Sequence, residues 1–107
     1  MAAVFARRED YCSKLQQGFG LPVVTLMQKT ADPCDSDYDS SCSLIREAFA
    51  GAVAYLKQFR YLTGYEAYFV LDMPFERIHG TLERLQAENT CFDLFDTNIS
   101  VYKKSDR

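Results

Sequence analysis

The chain has 107 residues, 48% of them hydrophobic and 25% charged, with a net charge of −3. Such a length fits one domain, and such a composition argues against a disordered chain. The mild acidity argues against a general nucleic-acid binder, and the longest uncharged run, residues 15–28, falls well short of a membrane span.

The first residues, Met-Ala-Ala-Val-Phe-Ala, are followed at once by Arg7, Arg8, Glu9 and Asp10, which is too short an apolar stretch for a signal peptide. The expected location is therefore the cytoplasm, with thiols reduced. Val4, Phe5, Arg8, Tyr11, Cys12 and Leu15 recur at steps of three and four, so residues 3–17 are expected to form a helix stopped by Gly18 and Gly20. Pro22 to Lys29 is β-branched at its start and reads as a strand, with a short helix from Pro22 as the competing reading.

Residues 32–43 read Asp-Pro-Cys-Asp-Ser-Asp-Tyr-Asp-Ser-Ser-Cys-Ser, an expected acidic loop in which Asp32, Asp35, Asp37 and Asp39 have no basic neighbour. A long helix is expected over 44–62, with Ser43 as its N-cap and Ile45, Ala48, Phe49, Ala52, Val53, Leu56 and Phe59 as its apolar stripe. Next comes a strand from Tyr65 to Leu71. Its Tyr65, Ala67, Phe69 and Leu71 face one way, and its Glu66, Tyr68 and Val70 the other. Asp72-Met73-Pro74 opens a third helix whose buried line is Phe75, Ile78, Leu82 and Leu85, and Asn89 closes it. Cys91–Phe95 and Ile99–Lys103 are expected to pair as a hairpin, followed by a frayed tail.

The resulting fold class is α/β (α+β): a single compact domain over 1–107, in the order α-β-α-β-α-β-β, with a mixed four-stranded sheet. The long helix and the third helix would lie on one face, and the N-terminal helix would cover the other face or reach a neighbouring subunit.

Two surfaces carry the candidate chemistry. The first is the acidic loop, a partner-binding site in which Tyr38 is the anchor and Asp35, Asp37 and Asp39 face Lys or Arg on another protein. Asp35, Asp37 and Asp39 also occupy the first, third and fifth places of an EF-hand loop. Its sixth place holds Ser40 instead of Gly and its twelfth Arg46 instead of Glu, so no metal is assigned. The second surface is an aromatic–basic band, Tyr55, Lys57, Phe59, Arg60, Tyr61, Tyr65 and Tyr68, able to stack bases and hold phosphates, of which Tyr55, Lys57, Arg60 and Tyr61 are the named nucleic-acid contacts. The ordinary reading of the same band is a set of core-edge rings beside a solvated face.

Smaller features are weaker. Ala50, Gly51 and Ala54 form a small-residue patch that would admit close packing within the chain or in a homodimer. The four cysteines, Cys12, Cys34, Cys42 and Cys91, contain no C-x-x-C pair; Cys34 and Cys42 would bridge only in an oxidising compartment, and Cys12 and Cys91 read as small core hydrophobes. His79 has Glu76 and Glu83 at helical spacing, but no nucleophile motif or Gly-rich phosphate loop accompanies it. No cofactor is expected.

The profile fits a non-enzymatic module that inhibits or regulates a macromolecular partner by steric and electrostatic occlusion. Inhibitors, immunity proteins, antitoxins and phage-encoded antagonists of host defence share that profile, by analogy and without a motif. The expected partner is a protein with a basic surface; the alternative is a nucleic-acid-binding regulator that uses the aromatic–basic band, and no membrane is involved.

Overall fold

The computed structural model describes residues 2–28, 35–61, 64–88 and 92–95. Within them the elements are α1 (Ala2–Phe19), β1 (Val23–Gln28), α2 (Asp35–Ala48), β2 (Val53–Tyr61), β3 (Gly64–Leu71), α3 (Phe75–Glu88) and β4 (Phe92–Phe95). The four strands form one sheet in the order β2-β3-β1-β4. All three described pairings are antiparallel, where a mixed sheet was expected. The reason is topological. The crossover β1-α2-β2 straddles β3 and the crossover β3-α3-β4 straddles β1, so strands that run the same way never touch. From β1 onward this is the β-α-β-β-α-β, or split β-α-β, arrangement, with α1 added in front.

The class is as expected: one compact α+β domain, three described helices on a four-stranded sheet. The Cα radius of gyration, 12.9 Å, is close to the ~13 Å of a single folded body of this length. The long helix over 44–62 is a correction. The helix starts earlier, at Asp35, and ends at Ala48; residues 53–61 are instead the edge strand β2. Gly51 makes the break. Its φ of +83° is left-handed, and an added Cβ there would meet nothing within 4 Å. Conformation therefore explains this glycine, and close packing of Ala50, Gly51 and Ala54 does not. Ala52 N–H closes the turn on the Phe49 carbonyl at 2.9 Å.

Two apolar layers flank the sheet. On one face Tyr38, Cys42 and Ile45 of α2 and Ile78, Leu82 and Leu85 of α3 pack on Val24, Leu26, Ala67, Phe69, Leu71 and Leu94. On the other, Cys12 and Leu15 of α1 pack on Val23, Tyr68 and Val70. The alternation read along 65–71 is thus realised, with Tyr65, Ala67, Phe69 and Leu71 toward α2 and α3, and Tyr68 and Val70 toward α1. Covering both faces lets a small chain bury apolar area twice over one sheet. Gly20, at φ +69°, turns the chain from α1 into β1. The expected hairpin strand over 99–103, the closing Asn89, the tail, Cys34 and Cys91 lie outside the described residues. Among the described residues no helix is long and apolar enough to cross a membrane.

One polar side chain ties the short strand β4 to the rest. Gln86 on α3 is buried; its Nε2 donates to the Phe92 carbonyl at 3.1 Å, and its Oε1 accepts from Leu94 N–H at 2.7 Å. The amide therefore acts as a second partner, beside β1, for a four-residue strand. Replacing it with a leucine of similar volume strands one donor and one acceptor, at about 1–3 kcal/mol for each group left without a partner. Gln86→Leu is expected to lower the unfolding free energy by about 2–6 kcal/mol, measured by urea denaturation followed by circular dichroism.

Candidate functional site

The two surfaces read from the sequence as rivals meet in the fold. Asp35 and Asp37 lie in the first turn of α2, where carboxylates complement the positive helix end. The expected acidic loop is therefore, over 35–43, an ordered helix start; Asp32 lies outside the described residues. Arg60, near the end of β2, stands opposite. Its Nη2 is 2.9 Å from Asp39 Oδ1 and its Nη1 3.6 Å from Asp35 Oδ1. The Tyr65 hydroxyl donates to Asp35 Oδ1. The carboxylates beside Arg60 hold its guanidinium pKa above the ordinary value, Asp39 first. The side chains stay wet: Asp35 is 75% exposed, Asp39 61% and Arg60 48%. Exposed pairs of this kind hold geometry more than they add stability.

Tyr38 corrects the expected anchor role. It is fully buried, so it cannot be offered to a partner from this conformation. Its hydroxyl donates to the Glu66 carbonyl at 2.6 Å and lies 3.4 Å from the Phe59 carbonyl. Its ring stacks on Tyr65 at 4.6 Å, lies 5.8 Å from Phe92, and carries the Arg60 guanidinium 4.8 Å from its centroid. The physical reason is spacing. Tyr38, Cys42, Ile45 and Phe49 are one buried helical line, and it begins inside the acidic stretch. Tyr38 thus fixes the helix start from beneath and leaves the aspartates on the outside.

The aromatic–basic band divides between the two faces of β2. Tyr55, Lys57, Phe59 and Tyr61 register with Val70, Tyr68, Glu66 and Gly64, on the α1 face. Leu56, Gln58 and Arg60 register with Phe69, Ala67 and Tyr65, on the α2 face. On the α1 face Tyr55 lies against Phe19 at 5.2 Å, and the Lys57 ammonium sits 5.5 Å from the Phe59 centroid. So Tyr55, Lys57 and Tyr61 share a surface, whereas Arg60 belongs to the acidic cluster.

The α1 face also holds a group that the sequence reading passed over. Glu66 is buried, and its Oε1 accepts from Tyr68 Oη at 3.1 Å and from Tyr61 Oη at 3.4 Å. Burial, then the Glu66 charge, pushes the Tyr68 hydroxyl pKa well above its ordinary value. Burial does the same for Tyr38. A single charged residue near the start of an otherwise uncharged alternation was the available signal for Glu66.

The remaining candidates are separate from this cluster. His79 Nε2 lies 3.6 Å from Glu83 on the outer side of α3, both side chains half exposed or more. Cys12 shares a hydrogen bond with Thr25 Oγ1 at 3.0 Å in the core. Cys42 is a free buried thiol, contacted by Gln58 Nε2 at 3.5 Å, and burial raises its pKa. Among the described residues no group of three His, Cys, Asp or Glu side chains is arranged to hold a metal ion. Comparison of the chain with protein-family models, with curated proteins and with solved structures finds no match.

Two outcomes follow for the tyrosines. Tyr38→Phe keeps the ring and removes the donor to Glu66, and is expected to cost about 1–2 kcal/mol in denaturant unfolding. The folded-state pKa values of Tyr38 and Tyr68 are raised, so their contribution to stability is complete below the unfolded tyrosine value of about 10 and is lost as pH climbs above it. Stability is expected to fall beyond about pH 10, with tyrosinate absorbance rising together with unfolding, and Tyr68→Phe is expected to flatten that fall.

Proposed function

We propose that this protein is a non-enzymatic binding module of the cytoplasm that docks on a basic surface of another protein and blocks it. The observation that supports this reading most is the presentation of Asp35, Asp37 and Asp39. All three are exposed on the first turns of an ordered helix, which Tyr38 holds from below and Arg60 and Tyr65 from the side. A flexible acidic loop would lose conformational freedom on binding; a helix start already in place loses little. Arg60 lies beside Asp35 and Asp39 and tempers the cluster without neutralising it, since the three carboxylates outnumber the one guanidinium. The exposed rings of β2, Tyr55 and Tyr61, add the kind of side chain that protein interfaces favour, with Tyr61 39% exposed. Occlusion is steric and electrostatic: the carboxylates take the place of whatever anion the basic surface ordinarily holds.

The test is affinity capture from nuclease-treated lysate, with wild type and Asp35→Asn/Asp37→Asn/Asp39→Asn as parallel baits, both shown to be folded by circular dichroism. A stoichiometric protein retained by wild type and lost by the variant is the expected result, with affinity that weakens as salt is raised. Equal retention by the two baits would remove the acidic turn from the interface. Retention of nucleic acid that disappears on nuclease treatment would transfer the function to Tyr55, Lys57 and Tyr61.

A further inference from the structure

The outer edge of β2 offers something that the acidic turn does not. Among the described strands β2 is outermost in the order β2-β3-β1-β4 and is nine residues long, against four for β4 at the other end of that order. An edge of that length presents a row of backbone donors and acceptors to any strand that can lie beside it. Two devices that commonly protect an edge are weak here. The register shift between Val53 and Tyr55 lies at the start of the strand and leaves 55–61 regular. Lys57, the central charge, already lies over the ring of Phe59 on the α1 face.

We propose that the β2 edge pairs antiparallel with the β2 edge of a second copy, about a two-fold axis at Gln58, to make one continuous eight-stranded sheet. The segment 55–61, Tyr-Leu-Lys-Gln-Phe-Arg-Tyr, is self-complementary in this register. Tyr55 faces Tyr61 of the second copy, Lys57 faces its Phe59, Leu56 its Arg60, and Gln58 itself. No like charges oppose, and the ring-to-ring and cation-to-ring pairs are ones that stabilise neighbouring strands. Moving the axis by one residue to Lys57 would set ammonium against ammonium.

The helix beside the strand supports the same arrangement. Along this edge α2 carries Asp35 and Asp39 near Arg60 at one end, and Arg46, beside Glu47, at the other. The Arg46 end lines an open recess of about 470 Å³ with Ser43, Glu47, Ala50, Gly51 and Val53. Antiparallel pairing brings the acidic start of one α2 to the recess at the end of the other, twice by symmetry. The two exposed aromatic ends of β2, Tyr55 and Tyr61, are covered in the same step.

The inference concerns the purified protein alone and does not depend on the proposed function. Sedimentation velocity over about 1–200 µM, a range that brackets a weak standard-sized interface, reads the association. Register is read by disulfide trapping, in a background with Cys34 and Cys91 changed to serine. Tyr55→Cys and Tyr61→Cys proteins, mixed and mildly oxidised, are expected to form a covalent mixed dimer. Neither variant alone should link, because identical positions lie six residues apart across the pair, about 20 Å, beyond disulfide reach. Arg46→Glu is expected to weaken the dimer about fivefold through the two symmetric contacts. A monomer at every concentration overturns the proposal, and so does a dimer whose cross-linking ignores this pairing.

Discussion

The acidic surface depends on a tyrosine that never reaches it. Tyr38 carries a hydroxyl into the core, and a buried hydroxyl needs an acceptor. The one within 2.6 Å is the backbone carbonyl of Glu66 on β3, so the height and rotation of the α2 start are set by a main-chain atom of a central strand. Helical geometry then decides the rest. With 3.6 residues per turn, Asp37 and Asp39 point about 100° to either side of an inward Tyr38, and the carboxylates have no route but outward. Arg60 and Tyr65 meet two of them there because β2 ends and β3 begins beneath the same turn.

Polar groups inside the domain follow one pattern: each aims a strand or helix at its neighbour. Gln86 reaches across to β4, Glu66 gathers two tyrosine hydroxyls on the α1 face, and Thr25 meets Cys12 between α1 and β1. Apolar packing over the two faces supplies the larger share of stability but is non-directional. These few directed bonds choose one register and one helix rotation from the packings that area alone would allow.

Much of the architecture was readable from the chain, and the misreading has a physical cause. The alternation over 65–71 and the helical line of α3 survive because each buries a face, and of the α1 line the described side chains Cys12 and Leu15 are buried. β2 is different. As an edge strand it is half-buried at every third residue, Val53, Leu56 and Phe59, with two exposed residues between each. A period of three sits closer to the helical repeat than to the two of a strand, and the preceding Ile45 and Phe49 extend it seamlessly. The start of α2 was misplaced for the opposite reason: Asp and Ser dominate it, and only the 38, 42, 45, 49 spacing reveals that Tyr38 belongs to the buried line. The individual acidic and basic residues were visible, but their union was not. Asp39 and Arg60 are 21 positions apart, and only the pairing of β2 with β3 under α2 makes them neighbours.

The sheet order also governs how the domain comes together. β2 and β3 are consecutive and meet at Tyr61 and Gly64, whereas β1, at the centre, pairs Val23 with Val70 and Thr25 with Phe95. The hairpin closes a short loop; the central strand must wait for partners from far along the chain, with the entropy of those long closures against it. During synthesis β1 leaves the ribosome before either neighbour exists, an apolar strand with both edges open, and it becomes an interior strand only when β3, and then β4, have followed it.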